Sequence, residues 1–269
     1  MAEERAYRSG SRKERRSKKN KKMRVFLSIF MVICIAVIGF CAYKIYSIYH
    51  EYSEGDKANE ALSEYIVVES EANKETNVLD VDFNALSAIN EDVCGWLYLK
   101  DTPINFPVVQ GADNEFYLTH NFQKEKNSYG AAFIDVANQS DFSDPCTIIY
   151  GHRMNNGAMF AELLQYEKQE YYDAHPYLLL VTPEHKYKLE VFSARRISAD
   201  LSNYKIRFDS DEQYISYLQK IVSDSFVKTD VTMSSEDRYV MLSTCVKGNE
   251  SVRFVVYAKI SPLEEGTAN

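Results

Sequence analysis

The sequence predicts a mostly β domain, a barrel or a sandwich with helical insertions, joined to one membrane-spanning helix. Seven or eight short segments alternate apolar and polar side chains with the period of two that is typical of strands. Only two or three segments have the spacing of an amphipathic helix, whereas a parallel α/β sheet would need a helix after almost every strand. The third observation is an uncharged apolar run near the N-terminus, at residues 25–43.

The first 43 residues have the pattern of a signal anchor. Residues 1–24 carry eleven Lys or Arg and three Glu, and residues 25–43 are 19 residues without a charge. That length is enough to cross a bilayer as a helix. The basic flank predicts a single-pass protein of the cell membrane with a cytoplasmic N-terminus and an extracellular body. The alternative is a cleaved signal peptide, for which residues 39–41 are the nearest candidate cleavage site.

The charge and the cysteines limit what the body of the chain can do. Residues 45–269 carry 19 basic and 36 acidic residues, so we expect no binding of nucleic acid by this part. The sequence has no CxxC motif and no Cys/His metal spacing, and we expect no metal and no cofactor. Cys94 and Cys146 could form a disulfide, which would leave Cys245 as a free thiol in an exported domain.

A stalk is predicted between the apolar run and the folded domain. Residues 44–80 are expected to contain a helix that breaks near Gly55 and then a polar linker over residues 68–80. The folded domain is expected over residues 81–262, followed by a short tail over residues 263–269.

Within the folded domain, periodicity and turn residues predict the elements. Apolar side chains recur at helical spacing over residues 83–89, after Ala158, and after Ser210, where Ser-x-x-Gln is a capping box. Before the final hairpin, strands are predicted at residues 95–99, 104–110, 131–135, 146–150, 177–182 and 186–193.

The last two predicted strands form a hairpin that places a thiol beside a guanidinium. Residues 239–245 and 252–260 alternate as strands, with a Gly-Asn turn signal between them. If the hairpin is centred on Asn249, Cys245 faces Arg253 across the two strands. Taken alone, the thiol could be a small core side chain and the arginine a solvated surface residue.

Of the five histidines, His152 is the best candidate for a functional group. It ends the buried strand of residues 146–150 and precedes a polar loop, and strand ends are where β folds place functional side chains. A cysteine, an arginine and a histidine together could carry out acyl transfer. The thiolate attacks a carbonyl carbon, the cation stabilises the oxyanion, and the imidazole transfers protons.

Four segments make the chain resemble the class B sortases, the membrane-anchored cysteine transpeptidases of Gram-positive bacteria. They lie between residues 89 and 260 and read DVCGWLYLKDTPINFPVVQGADNEFYLTHNF, IIYGHRMNNGAMFAEL, MLSTC and RFVVYAKI. The resemblance implies an eight-stranded barrel with N-terminal helices and a further helix before the cysteine strand. It also implies that Cys245 is the nucleophile, His152 the general acid/base, and Arg253 the oxyanion and substrate clamp.

The same resemblance implies the reaction and the partners. A sorting signal near the C-terminus of an exported protein is cleaved after its threonine through a thioacyl intermediate. The acyl group then passes to an amine of the cell-wall peptide, or to a pilin lysine. Ser243 and Thr244 match the family motif and are expected to line the substrate groove, unless they serve only to pack the hairpin. Met241 and Val246 depart from the usual threonine and the frequent acidic residue, and Val246 leaves the recognised signal open.

Two other functions are compatible with these residues. An extracellular cysteine endopeptidase would use the same side chains to hydrolyse its substrate. Papain-like enzymes place cysteine before histidine, whereas here His152 precedes Cys245 by 93 residues, but chain order does not exclude convergence. A non-catalytic, membrane-tethered binding module would keep Cys245 as a structural residue.

Overall fold

The computed structural model describes residues 2–69 and 78–263, and the chain divides into two compact units, residues 1–51 and 52–269. The described helices are α1 (Ala2–Leu62), α2 (Phe83–Ile89), α3 (Gln169–Ala174) and α4 (Asp211–Ser223). The described strands are β1 (Ile66–Glu69), β2 (Val78–Val81), β3 (Val93–Tyr98), β4 (Asn105–Val109), β5 (Ala132–Ile134), β6 (Cys146–Tyr150), β7 (Tyr177–Val181), β8 (Lys186–Ser198), β9 (Tyr239–Val246) and β10 (Asn249–Pro262). Residues 70–77 of the predicted linker and 264–269 of the predicted tail lie outside the described residues.

The described residues of the first unit all lie in helix α1. Its most apolar window of 18 residues has a mean hydropathy of 2.9, and none of that window is buried within the protein. Among the described residues, this is the one helix long and apolar enough to cross a membrane, judged by length and composition. A signal sequence would have the same two properties.

The helix does not break at Gly55, so the predicted break is wrong. α1 continues to Leu62 and ends in one 3₁₀ turn, Ser63–Tyr65. A Cβ atom built on Gly55 would lie 2.6 Å from the ring of Tyr129. The glycine therefore permits a close approach between the helix and an aromatic ring, and does not terminate the helix.

Where the sequence predicts a polar linker, the chain forms a small antiparallel sheet. β1 pairs with β2 in a register that sets Ile66 opposite Val81 and Glu69 opposite Val78. The predicted linker over residues 68–80 is wrong at both of its ends, because the backbone there is paired in a sheet. At the second end, Leu79 is fully buried.

Strands β3 to β10 close into an eight-stranded barrel with the order β10-β8-β7-β3-β4-β5-β6-β9. This confirms the predicted eight-stranded fold and sets the sandwich alternative aside. Among the described strands, β4 runs parallel to β5 and β6 runs parallel to β9, whereas the other neighbours in the barrel are antiparallel. The parallel pairing of β6 with β9 is what brings the candidate residues together.

The two faces of β9 belong to different apolar clusters. Val240 and Leu242 pack in the barrel interior, whereas Tyr239 and Met241 pack on the outside, in the cluster that contains apolar residues of α4. Helix α4 begins as predicted, because the Ser210 hydroxyl accepts a hydrogen bond from the Gln213 amide at 3.2 Å. By the alternation of a strand, Cys245 lies on the outer face, with Tyr239 and Met241.

One further expectation differs from the structure, and the pairing of Cys94 with Cys146, which the sequence left open, is decided by it. The segment after Ala158 forms a 3₁₀ helix, Phe160–Glu167, followed by α3, and not one continuous α-helix. Cys94 and Cys146 are both free and buried. No disulfide joins them because Cys94 packs in the barrel interior and Cys146 packs in the outer cluster under α4.

Candidate active site

The β9–β10 hairpin confirms the predicted pairing of a thiol with a guanidinium, since Cys245 is opposite Arg253. The turn itself is not centred on Asn249. Asn249 pairs with Val246, which leaves a two-residue turn with Gly248 at φ +75°. Continuing that register would put residue 250 opposite Cys245. A three-residue bulge, residues 250–252, moves Arg253 into that place.

The Arg253 side chain also forms hydrogen bonds with this bulge. Its Nη1 donates hydrogen bonds to the backbone carbonyls of Glu250, at 2.6 Å, and of Val252, at 3.2 Å. The guanidinium is therefore held at the end of the hairpin by the bulge that places it there.

The strand that carries His152 lies on the other side of the cysteine strand. In the parallel β6–β9 pair, Tyr150 is opposite Ser243, so His152 and Cys245 each follow two residues later. The Gly151 amide donates to the Ser243 carbonyl at 3.2 Å. In return, the Thr244 hydroxyl donates to the Gly151 carbonyl at 2.8 Å. The three candidates thus occupy adjacent strand ends, with Cys245 in the middle.

The His152 ring is oriented by a backbone carbonyl, a partner that the sequence did not indicate. Nε2 lies 2.7 Å from the Leu118 oxygen. Because a carbonyl oxygen only accepts, Nε2 carries the proton, and Nδ1 is the ring atom that can take a proton in the neutral ring. Within the described parts of the chain, His152 and Cys245 are not hydrogen-bonded to each other. Catalytic contacts are often loose before a substrate is bound.

The predicted site residues line one cleft of about 300 Å³. Its wall is formed by Asn114, Leu118, Phe133, Tyr150, Gly151, His152, Ala199, Tyr204, Ser243, Thr244, Cys245 and Arg253. A larger cleft of about 910 Å³ borders β2, β7 and β8, but no cysteine lines it. The chemistry therefore places the candidate site in the smaller cleft.

Of the three cysteines in the barrel domain, Cys245 is the exposed one. Burial raises the pKa of Cys146 to about 12 and also raises the pKa of Cys94. Both buried thiols therefore stay protonated at neutral pH, and a protonated thiol is a poor nucleophile. Accessibility alone distinguishes Cys245 as the thiol that a substrate can reach.

Ser243 and Thr244 border the cleft but are only 2% exposed each. The Thr244 hydroxyl is engaged by Gly151, so its contribution is to tie two strand ends together. The Ser243 hydroxyl lies 3.4 Å from the hydroxyl of Tyr204.

Tyr204 is a cleft residue that the sequence analysis missed. It lies between β8 and α4, in a segment with no motif. Burial raises its pKa, a nearby Cys245 thiolate would raise it further, and its contact with Ser243 and the charge of Arg253 lower it. The Tyr204 hydroxyl is therefore protonated at neutral pH, and it lines the same cleft as Cys245 and Arg253.

Two more missed residues are held by a buried carboxylate. Asp135 accepts hydrogen bonds from the Tyr150 hydroxyl at 2.7 Å and from the Asn114 amide at 3.1 Å. Asn114 lies within the first segment that resembles the sortases, which was the available signal for it. Tyr150 was not predicted, because the sequence around it has only the pattern of an ordinary strand.

Comparisons with known proteins agree with this architecture. The chain matches the Sortase domain family over residues 97–261. It is 36% identical over 177 residues to sortase B of Listeria monocytogenes serovar 1/2a, which covers 65% of this chain and 72% of that protein. A Staphylococcus aureus sortase B–substrate complex is similar, with 34% identity and a TM-score of 0.65, over 68% of this chain and 85% of the other. A sortase B complexed with triglycine has 34% identity and a TM-score of 0.64, over 68% and 86%.

The eight-stranded barrel and the helix before the cysteine strand are features that the resemblance to the sortases implied. The family match adds sequence similarity over most of the barrel. The chain belongs to the class B sortases and is a cysteine transpeptidase of the sortase type.

Proposed function

We propose that this sortase cleaves a C-terminal sorting signal of exported proteins after a threonine and transfers the acyl group to a cell-wall peptide amine, or to a pilin lysine. The observation that supports it best is the adjacency of three strand ends. The parallel register of β6 with β9 brings His152 beside Cys245, and the antiparallel register of β9 with β10 brings Arg253 to its other side.

In this proposal the Cys245 thiolate attacks the threonine carbonyl carbon and forms a tetrahedral oxyanion. Arg253 stabilises the oxyanion and clamps the substrate. The C–N bond then breaks, and His152 gives a proton to the leaving amine, which leaves a thioester on Cys245. The acceptor amine attacks the thioester, His152 takes its proton, and Cys245 leaves as the thiolate.

Ser243 and Thr244 are proposed to shape the substrate groove in different ways. The Thr244 hydroxyl is bound to the Gly151 carbonyl, so Thr244 acts by fixing the backbone between the nucleophile and the histidine. The Ser243 hydroxyl lies 3.4 Å from the Tyr204 hydroxyl, so Ser243 and Tyr204 are proposed to line the groove together.

The partners and the location are part of the same proposal. One similar structure is a sortase B with its substrate and another is a sortase B with triglycine, which supports a substrate and an amine acceptor here. We propose that residues 25–43 anchor the chain in the cell membrane, with residues 1–24 in the cytoplasm. Residues 44–80 would then connect the anchor to an extracellular catalytic domain over residues 81–262.

The proposal is tested with the full-length protein in detergent micelles and a library of labelled sorting peptides, with and without triglycine. We expect amine-dependent ligation that is abolished in Cys245→Ala and retained in Cys41→Ala, a control thiol outside the cleft. Cleavage that is indifferent to the amine would favour an endopeptidase. Turnover that survives in Cys245→Ala would refute the cysteine mechanism.

A further inference from the structure

The segment of α1 that lies within the second unit, residues 52–62, is packed against Tyr129. The Tyr129 side chain is 1% exposed, and Tyr52 meets its ring edge-on with the centroids 5.8 Å apart. Gly55 faces the same ring, where an added Cβ would come within 2.6 Å of it. Because Tyr129 is buried in the barrel cluster, its ring cannot move away easily, and the helix requires a glycine at this contact.

Polar contacts continue this interface to a second loop. The Tyr129 hydroxyl donates to the Asp56 carboxylate at 2.8 Å. The Asn156 amide lies 3.3 and 3.4 Å from the two oxygens of the same carboxylate, and it also donates to the Tyr129 hydroxyl. Asn59 donates to the Met159 sulfur at 3.4 Å. One helix segment thus holds Tyr129 and the loop of residues 152–159 together.

The segment that contains Tyr129 passes close to His152, and the loop of residues 152–159 begins with it. The residue after Tyr129 is Gly130, at φ +58°, where a Cβ would lie 3.0 Å from the Cδ2 atom of His152. The second loop begins with His152 itself, and its two ends are joined by a hydrogen bond from the Phe160 amide to the His152 carbonyl at 2.9 Å. The His152 ring is therefore close to the backbone at Gly130, and the loop that carries His152 contacts the same helix segment as Tyr129.

We propose that residues 52–62 of α1 position His152 for proton transfer, with Gly55 and Asp56 as the positioning residues. The inference rests on the proposed role of His152. Neither residue lines the cleft, so both act through the Tyr129 loop and the loop of residues 152–159. If the brace is loosened, the imidazole loses its fixed place relative to Cys245, and a displacement of about 1 Å costs on the order of a hundredfold in rate.

Gly55→Ala and Asp56→Ala in the full-length protein, in detergent micelles, test the proposal. The chain offers a matched control for each. Gly39→Ala makes the same change in the same helix, where an added Cβ meets no atom within 4 Å among the described residues. Glu60→Ala removes an exposed acidic side chain from the same helical segment.

We expect kcat for the sorting peptide to fall about tenfold to hundredfold in Gly55→Ala and Asp56→Ala, with KM within about twofold. In the same two variants, the limb of the pH–rate profile that reports His152 should shift from its wild-type position. The ring resonance of His152, observed in protein labelled with ¹³C-histidine and assigned with His152→Gln, should shift in the two test variants. The controls should keep the wild-type kcat and the wild-type resonance.

The direction of the change in Gly55→Ala is informative, because alanine favours an isolated helix over glycine. A loss of kcat would therefore report the contact with Tyr129 and not the helix propensity. Should Gly55→Ala fail to fold, Asn156→Ala removes an exposed amide from the loop side of the same interface and carries the same expectation.

Three outcomes separate this inference from the proposed function. If His152→Gln is inactive while Asp56→Ala and Asn156→Ala keep the wild-type kcat and the wild-type His152 resonance, the inference is overturned and the proposed function stands. If the loss of kcat in each variant follows its loss of Tm and the His152 resonance does not shift, the helix segment only stabilises the fold. The inference is then again overturned. If His152→Gln turns over at the wild-type rate, the proposed function itself fails.

Discussion

Replacing Thr244 by valine removes one hydroxyl from the junction between β6 and β9. That hydroxyl is buried and donates to the Gly151 carbonyl at 2.8 Å. The bond joins the residue before Cys245 to the residue before His152. Its loss leaves the half-buried Gly151 carbonyl without this partner, and a hydrogen bond of this kind contributes about 0.5–1.5 kcal/mol to the unfolding free energy. For a domain of this size, the change corresponds to a fall in Tm of about 2–4 °C per kcal/mol.

The chain supplies a matched control in Thr147 on the neighbouring strand. Thr147 is 0% exposed, and its hydroxyl has no hydrogen-bond partner among the described residues. Thr147→Val should therefore be neutral, or should raise the unfolding free energy by about 1 kcal/mol, because it removes an unsatisfied buried hydroxyl. The same substitution is thus expected to have different effects at two buried positions of the β6–β9 pair.

Urea unfolding of the full-length protein, followed by the fluorescence of the single tryptophan, Trp96, measures both variants. Trp96 is fully buried in the barrel domain, so it reports the unfolding of that domain. We expect Thr244→Val to lower kcat as well, since it loosens the backbone between two candidate catalytic residues. If Thr244→Val and Thr147→Val shift the urea midpoint equally, the hydrogen bond does not stabilise this junction and the reasoning is refuted.

Three further predictions use the same assays. Arg253→Lys should lower kcat about tenfold or more, because the lysine ammonium cannot reproduce the fork of donors of a guanidinium. The unfolding free energy should change by about 1 kcal/mol or less. Near-normal turnover would contradict the oxyanion role. Burial keeps the Cys146 thiol protonated to about pH 12, whereas a thiol in the unfolded chain titrates near pH 9. The unfolded state then binds fewer protons, so the urea midpoint should fall as pH rises above about 9, and a constant midpoint up to pH 11 would argue against that burial. Ser210→Ala should cost about 1 kcal/mol by removing the N-cap of α4, with kcat unchanged, and a neutral urea midpoint would show that the cap is dispensable.

The local parts of the fold were predictable because their causes lie within a few residues. The alternation of residues 239–245 and 252–260 defined two strands, and the turn between them made the strands neighbours. The predicted pair of Cys245 and Arg253 is observed although the turn was placed wrongly, because a bulge of three residues compensates for a tighter turn. Periodicity does not report such a bulge.

The errors at Gly55 and in the predicted linker have a different origin. A helical glycine reads as a break when only local propensity is considered, yet here it permits contact with the ring of Tyr129, 74 residues later in the chain. Tyr204 was missed for the same kind of reason, since its place beside Ser243 depends on how the β8–α4 segment crosses the outer face of β9.

By itself, the sequence determined the β class, the apolar N-terminal helix, the final hairpin and the candidate residues His152, Cys245 and Arg253, whose roles stay predictions. Only the tertiary structure decided that β6 runs beside β9, and therefore that His152 lies next to Cys245. Parallel neighbours far apart in the chain are chosen by barrel closure and by packing on both faces, and no pattern within either strand encodes that choice.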